Sequence, residues 1–191
     1  MQFKNLLLLL SALFVFACSS TKPPVVEAVK DDRVEFAQKG FLLSVPESEG
    51  WSVVKKSGYK LLLSRRGARG NDGYTIQALV VSLPAFESDE QFQAYIEDRL
   101  AQHSGNIAEQ KASIYTSATN ACIQTSSKQD RNSNTGNTLT LETISFTCRH
   151  PSIPDAGVYL ALSKSYVPES STEDMNEQAI TLFNNLYFTD L

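Results

Sequence analysis

The chain has 191 residues, 42% hydrophobic, 20% charged and 9% aromatic, with a formal net charge of −4 at pH 7. That length suits one ordinary core rather than two. The mild acidity excludes a nucleic-acid or anionic-membrane footprint, since both need a positive surplus.

The N-terminus opens Met-Gln-Phe-Lys and then runs apolar from Leu6 to Ala17, interrupted by Ser11. A helix needs about 20 apolar residues to cross the hydrocarbon, so this shorter run fits the apolar region of a secretory signal. The residues Val15-Phe16-Ala17-Cys18 resemble the lipobox of bacterial lipoproteins, in which a small residue precedes a cysteine that is acylated and becomes the new N-terminus. Phe16 is bulkier than that pattern usually has. The resemblance implies removal of residues 1–17 and a membrane anchor through lipid on Cys18. Ser19 and Ser20, where an Asp would favour inner-membrane retention, imply the outer membrane with the domain facing the periplasm. Removal of the leader leaves 16 basic against 21 acidic side chains. Cys122 and Cys148 then remain as an even pair in an oxidising compartment, and they are expected to be bridged.

Residues 18–32, with Lys22-Pro23-Pro24, have no clear period and read as a flexible tether. The globular domain is expected over 33–191. Short apolar runs at Phe41 to Val45, Trp51 to Val54, Tyr59 to Leu63 and Thr75 to Leu83 are separated by turn chemistry and predict a meander of hairpins. The run from Ile76 to Leu83 is apolar on both pleat faces, which predicts a central strand covered on both sides. Ser88 as cap, Asp89 and Glu90 in the first turn, Gln91 completing a capping box, and a stripe of Phe92, Tyr95, Ile96 and Leu100 predict a helix.

A second β stretch is expected over 113–166. Asn134-Thr135-Gly136-Asn137 marks the tip of a long hairpin between Ala121 to Thr125 and Thr138 to Thr147. Centred on Thr135, this hairpin places Cys122 opposite Cys148. Apolar residues shift from odd positions (Leu139, Leu141) to even ones (Ile144, Phe146), which predicts a bulge near Glu142 to Thr143. Val158 to Ser165 predicts a further strand, Thr172 to Leu186 a final helix, and Tyr187 to Thr189 a short edge strand. The fold class is therefore α+β, a mainly antiparallel sheet of about 6–8 strands with two principal helices packed on it.

The segment Gly40-Phe41-Leu42-Leu43-Ser44-Val45-Pro46, followed by Trp51, resembles the opening of the Mog/PsbP-like group of small domains. The close of the chain is similar to theirs as well: a strand ending near Tyr166 and Pro168, then a helix and Leu186-Tyr187-Phe188. The resemblance implies an antiparallel sheet sandwiched between helices. It fixes fold far better than function, because the group hosts diverse binding and assembly roles.

Chemistry is sparse. His103 lies at the end of the first predicted helix, where an imidazole complements the dipole. His150, in Arg149-His150-Pro151 with Asp155 nearby, is the sole candidate general base, yet no Gly-x-Ser-x-Gly elbow accompanies it. Two distant histidines, no Cys-x-x-Cys and no EF-hand order give no metal spacing, and no phosphate-binding glycine fingerprint points to a cofactor. The most informative local feature is the loop Arg65 to Gly73, where Arg65, Arg66 and Arg69 can grip a carboxylate or phosphate on a partner. Trp51, Tyr59 and Tyr74, near strand ends, line a groove or join the core. The expectation is a non-enzymatic binding or envelope-assembly module with no cofactor and no nucleic acid. The alternatives are an envelope hydrolase using His150 and a carrier of a small apolar ligand held between sheet and helix.

Overall fold

The structure, a computed structural model, describes residues 27–29, 33–47, 50–67, 72–103, 109–116, 121–132, 138–168 and 174–191. Cys18, the signal segment and Arg69 lie outside the described residues. Turn chemistry between apolar runs produces hairpins, and the hairpins join through one long-range pairing. Strands β4 (Ser52–Ser57), β5 (Lys60–Arg66) and β6 (Gly73–Ser82) form one antiparallel meander. Strands β7 (Glu109–Thr116), β8 (Ala121–Asn132), β9 (Thr138–Arg149) and β10 (Ala156–Tyr166) form another. Strand β6 pairs with β10 and fuses the two. Inside the stretch read as tether, β1 (Glu27–Ala28) pairs with β4, so the chain meets the sheet before position 33. Among the described residues the result is one eight-stranded sheet in the order β1-β4-β5-β6-β10-β9-β8-β7. This confirms the α+β class.

Strand β3 (Phe41–Pro46) does not open that meander as expected. It pairs with β2 (Arg33–Gln38) and with β11 (Leu186–Phe188) in a separate three-stranded sheet. Gly40 lets β2 turn into β3: its φ is +86°, and a Cβ there would stand 2.7 Å from a Val80 methyl. The turn thus lies directly on β6.

Alternation along each strand sorts side chains to two faces of the large sheet. On β8, Cys122 joins the main cluster, with Phe146, Leu160, Leu63 and Ile76, whereas Ile123 joins a second cluster with Leu83, Phe92 and Ile96. Helix α1 (Asp89–His103) packs on the second, outer face; helix α2 (Met175–Phe183) and the small sheet share the first, inner one. Strand β6 therefore contributes to both faces, as its doubly apolar sequence requires. Phe183 of α2 stacks on Phe146 with ring centroids 4.4 Å apart, and Tyr115 meets both rings edge-on. Such pairs add about 0.5–1.5 kcal/mol each beyond their burial.

Helix α1 starts as its sequence predicts, with the Gln91 N–H donating to Ser88 Oγ. The Gln91 side chain reaches back one residue further than a capping box, accepting from the Glu87 N–H. The helix-start backbone N–H, and then the Ser88 hydroxyl, hold the Glu90 carboxyl below the usual glutamate range. Helix α2 is shorter than the stretch from Thr172 to Leu186. Asp174 caps it by accepting from the N–H groups of Asn176 and Glu177, and Leu186 leaves to pair with Leu43 in β11.

The β8–β9 hairpin keeps one register throughout, from Cys122↔Cys148 to Asn132↔Thr138. The bulge expected near Glu142 to Thr143 is absent. Instead, the apolar parity changes because the far end of the inner face is polar: Thr140 bonds Asp130, and Glu142 accepts from the Tyr166 hydroxyl. A register shift does occur between Val53 and Lys55, on β4.

Candidate functional site

The register places Arg65 opposite Tyr74 and Arg66 opposite Gly73 at the end of the β5–β6 hairpin. As neighbours on one strand they point to opposite faces, so they do not act as a single basic cluster. Arg66 is exposed on the outer side. Arg65 turns inward, where its guanidinium carbon lies 4.9 Å from the Trp51 ring centroid and 5.3 Å from that of Tyr74. Trp51 and Tyr74 are buried, while Tyr59 is half-exposed with the Lys39 ammonium over its ring.

Beside Arg65 the inner face leaves a cavity of about 350 Å³. Its floor is the cross-strand pair Ile76 and Leu162. One wall is the end of β3, with Val45 and Pro46, together with Trp51; the opposite wall is the α2 flank, Gln178, Thr181 and Leu182. Glu47 and Glu177 also line it, both exposed. The size falls in the range of small-molecule pockets, and apolar side chains make up about half of the lining, with Glu47, Arg65, Glu177, Gln178 and Thr181 supplying the rest.

Arg65 ends a row of side chains that crosses the inner face by register. Tyr74 on β6 stands opposite Lys164 on β10, Lys164 opposite Glu142 on β9, and Glu142 opposite Lys128 on β8. Lys164 is only 2% exposed, and its ammonium lies 5.3 Å from the Tyr74 ring centroid and 5.4 Å from that of Tyr166. The Tyr166 oxygen, then Glu142 and Glu109, hold the Lys128 ammonium above the usual lysine range. The sequence reading overlooked Lys164. Its signal was present, because Val158, Leu160, Leu162, Lys164 and Tyr166 share one parity, and a lysine on an otherwise apolar face marks a special position.

A larger groove of about 630 Å³, lined in part by Arg65, Arg66, Tyr74 and Leu141, lies over Ser52, Ser64, Thr75 and Ser163. These hydroxyls stand in one register row. Thr143 and Ser163 bond each other at 2.9 Å.

His150 sits away from both cavities and is buried. The Ser152 N–H donates to Nδ1 at 3.3 Å, which leaves Nε2 as the protonated atom that donates to the Thr189 carbonyl at 2.9 Å. Nε2 therefore ties the C-terminal segment to the residue that follows β9, Nδ1 closes the turn toward β10, and both ring nitrogens are engaged by backbone groups. Asp155 is exposed, and its carbonyl accepts from the Leu83 N–H. Cys122 and Cys148 are bridged across their strands with Cα atoms 4.2 Å apart. His103 ends α1. Among the described residues no group of three His, Cys, Asp or Glu side chains is placed to hold a metal.

No protein-family model and no curated protein matches the chain. Among solved structures, human StAR-related lipid transfer protein 5 is similar over 71% of this chain and 84% of that one, at 10% identity and a TM-score of 0.31. A likeness that slight carries no functional argument.

Proposed function

We propose that the chain is an exported lipoprotein, held on the outer membrane through acylated Cys18, whose domain is a non-enzymatic binding module. Its site is the cavity between α2 and the large sheet, and its ligand is a small, largely apolar molecule. The observation that carries this reading is the cavity itself, about 350 Å³ over Ile76 and Leu162 with Trp51 and Leu182 as walls. Removing a ligand's apolar surface from water onto that floor yields roughly 25 cal/mol per Å². The hydrolase alternative loses its support because both nitrogens of His150 are engaged with backbone groups.

The test is native mass spectrometry of protein extracted from membranes in mild detergent. A bound small molecule of constant mass is expected, and Thr181→Phe, which fills the cavity from α2, should abolish it without lowering the unfolding midpoint. Ligand-free spectra across several mild extractions, or retention of the molecule by the filled variant, would count against the cavity as the site. The anchor is checked separately: palmitate labelling should mark the native chain and not Cys18→Ser.

A further inference from the structure

Arg65 is a cation held against two aromatic rings at the end of the cavity. Among the described residues no carboxylate pairs with it; Glu47 and Glu177 line the same cavity but make no ion pair with its guanidinium. The rings of Trp51 and Tyr74 hold the guanidinium plane by stacking and cation–π attraction, so its N–H edges stay available at the cavity end. Lys164 adds a second positive charge against the same Tyr74 ring. The carboxylate in that row, Glu142, lies on the far side of Lys164 and accepts from Tyr166. Of the residues lining the cavity Arg65 is the one cation, with Ile76 and Leu162 as the floor beside it and the carboxylates of Glu47 and Glu177 at the exposed rim.

We infer that the ligand is an anionic amphiphile: its acid head meets Arg65 and its apolar body lies along Ile76, Leu162 and Leu182. This rests on the proposed reading of the cavity as the ligand site and specifies what enters it. The exposed carboxylates of Glu47 and Glu177 weigh against a multiply charged head, so a monoanion fits, either a carboxylate or a phosphodiester. A guanidinium matches both with paired, charge-assisted hydrogen bonds that gain strength away from bulk water.

The chain contains one tryptophan, Trp51, in the cavity wall. Its emission reports occupancy without a label. The full domain is titrated with decanoate, decanol, acetate and dihexanoyl phosphatidylglycerol, each below its micelle concentration. At least one long-chain anion is expected to bind about 10- to 100-fold tighter than decanol, the range of one charged hydrogen bond, and far tighter than acetate. Decanoate against the phosphodiester then identifies the head. Arg65→Met should bring the long-chain anions within about twofold of decanol measured on the same variant. In the native protein, raising salt from low to half-molar should weaken the anion and not the alcohol, a readout that needs no variant.

If no probe shifts the emission, the cavity reading itself fails. If all long-chain probes bind alike, the cavity stands and the acid head is overturned. An anion preference that survives Arg65→Met, or acetate binding as tightly as decanoate, also overturns it.

Discussion

The bridge between Cys122 and Cys148 closes a segment with a sequence separation of 26 and joins directly opposed residues of β8 and β9. On the chain-entropy account, that loop length removes roughly 3.5 kcal/mol of freedom from the unfolded chain. Both cysteines are fully buried against the inner-face cluster. A Cys122→Ala/Cys148→Ala double variant would therefore also leave two sulfur-sized voids, worth about 1 kcal/mol each at most. The expected loss is about 3–5 kcal/mol. With a urea dependence of about 2 kcal/mol per molar, the midpoint should fall by about 1.5–2.5 M. Far-UV circular dichroism measures the whole sheet, and Trp51 emission independently measures the other end of the inner face. A midpoint drop under about 0.5 M would refute the reasoning, because the ladder alone would then be fixing the hairpin. The same bridge bears on the compartment: chain taken from the membrane fraction under thiol-blocking conditions should show these two sulfurs unreactive until reduced.

Three further outcomes follow from single positions. Gly157→Ala should cost about 1–3 kcal/mol, because the added Cβ would lie 2.4 Å from Leu83 Cδ1 and 2.5 Å from the Cys148 carbonyl, which the ladder fixes; thermal melting should fall by several degrees. Burial raises the Tyr159 phenol above its ordinary 10.0, against a smaller opposing contribution from the Ser145 hydroxyl. A raised folded-state value means its contribution is complete below pH 10 and is lost as pH climbs through that value. Tyr159→Phe should therefore flatten the loss of stability above pH 10, and an unchanged alkaline curve would show that other groups govern it. Asp174→Ala removes the acceptor for two helix N–H groups and should cost about 1 kcal/mol, visible as a melting shift of about 2–4 °C.

The parts of the fold that depend on local chemistry were legible, and those that depend on distant pairing were not. A two-strand hairpin centred on Thr135 fixes Cys122 opposite Cys148 without knowledge of the rest, and the start of α1 follows from Ser88 and Gln91. Membership of β3 in a separate sheet is different. Phe41 to Val45 looks like any strand followed by a turn, and only its pairing with Leu186 to Phe188, far along the chain, removes it from the meander. The absent bulge has a related cause. Parity was read as if the inner face were apolar to its end, whereas Glu142 and Thr140 face polar partners there. The three arginines were visible as a cluster in sequence, yet strand alternation sends Arg65 and Arg66 to opposite faces. That Arg65 meets Tyr74 follows from the hairpin; that both meet Trp51 beside α2 depends on the packing of a helix over a hundred residues away.

The location of the cavity follows from a mismatch of lengths. Eight strands spaced about 4.8 Å apart span roughly 34 Å, whereas α2, with 9 residues, is about 13.5 Å long. One such helix cannot cover the inner face, and its aromatic contacts with Phe146 and Tyr115 commit it to the β8–β9 side. The β5–β6 side is covered instead by the small sheet, through Phe36, Phe41, Leu43 and Val45. Two coverings of different shape meet along a seam, and the residues that line the cavity come from both: Val45 and Pro46 from one, Thr181 and Leu182 from the other. Close packing within each covering is what leaves the seam unfilled, since neither element can shift toward the other without losing its own contacts. Arg65 lies at the end of that seam, where its charge has Trp51 and Tyr74 for support and open volume in front of it.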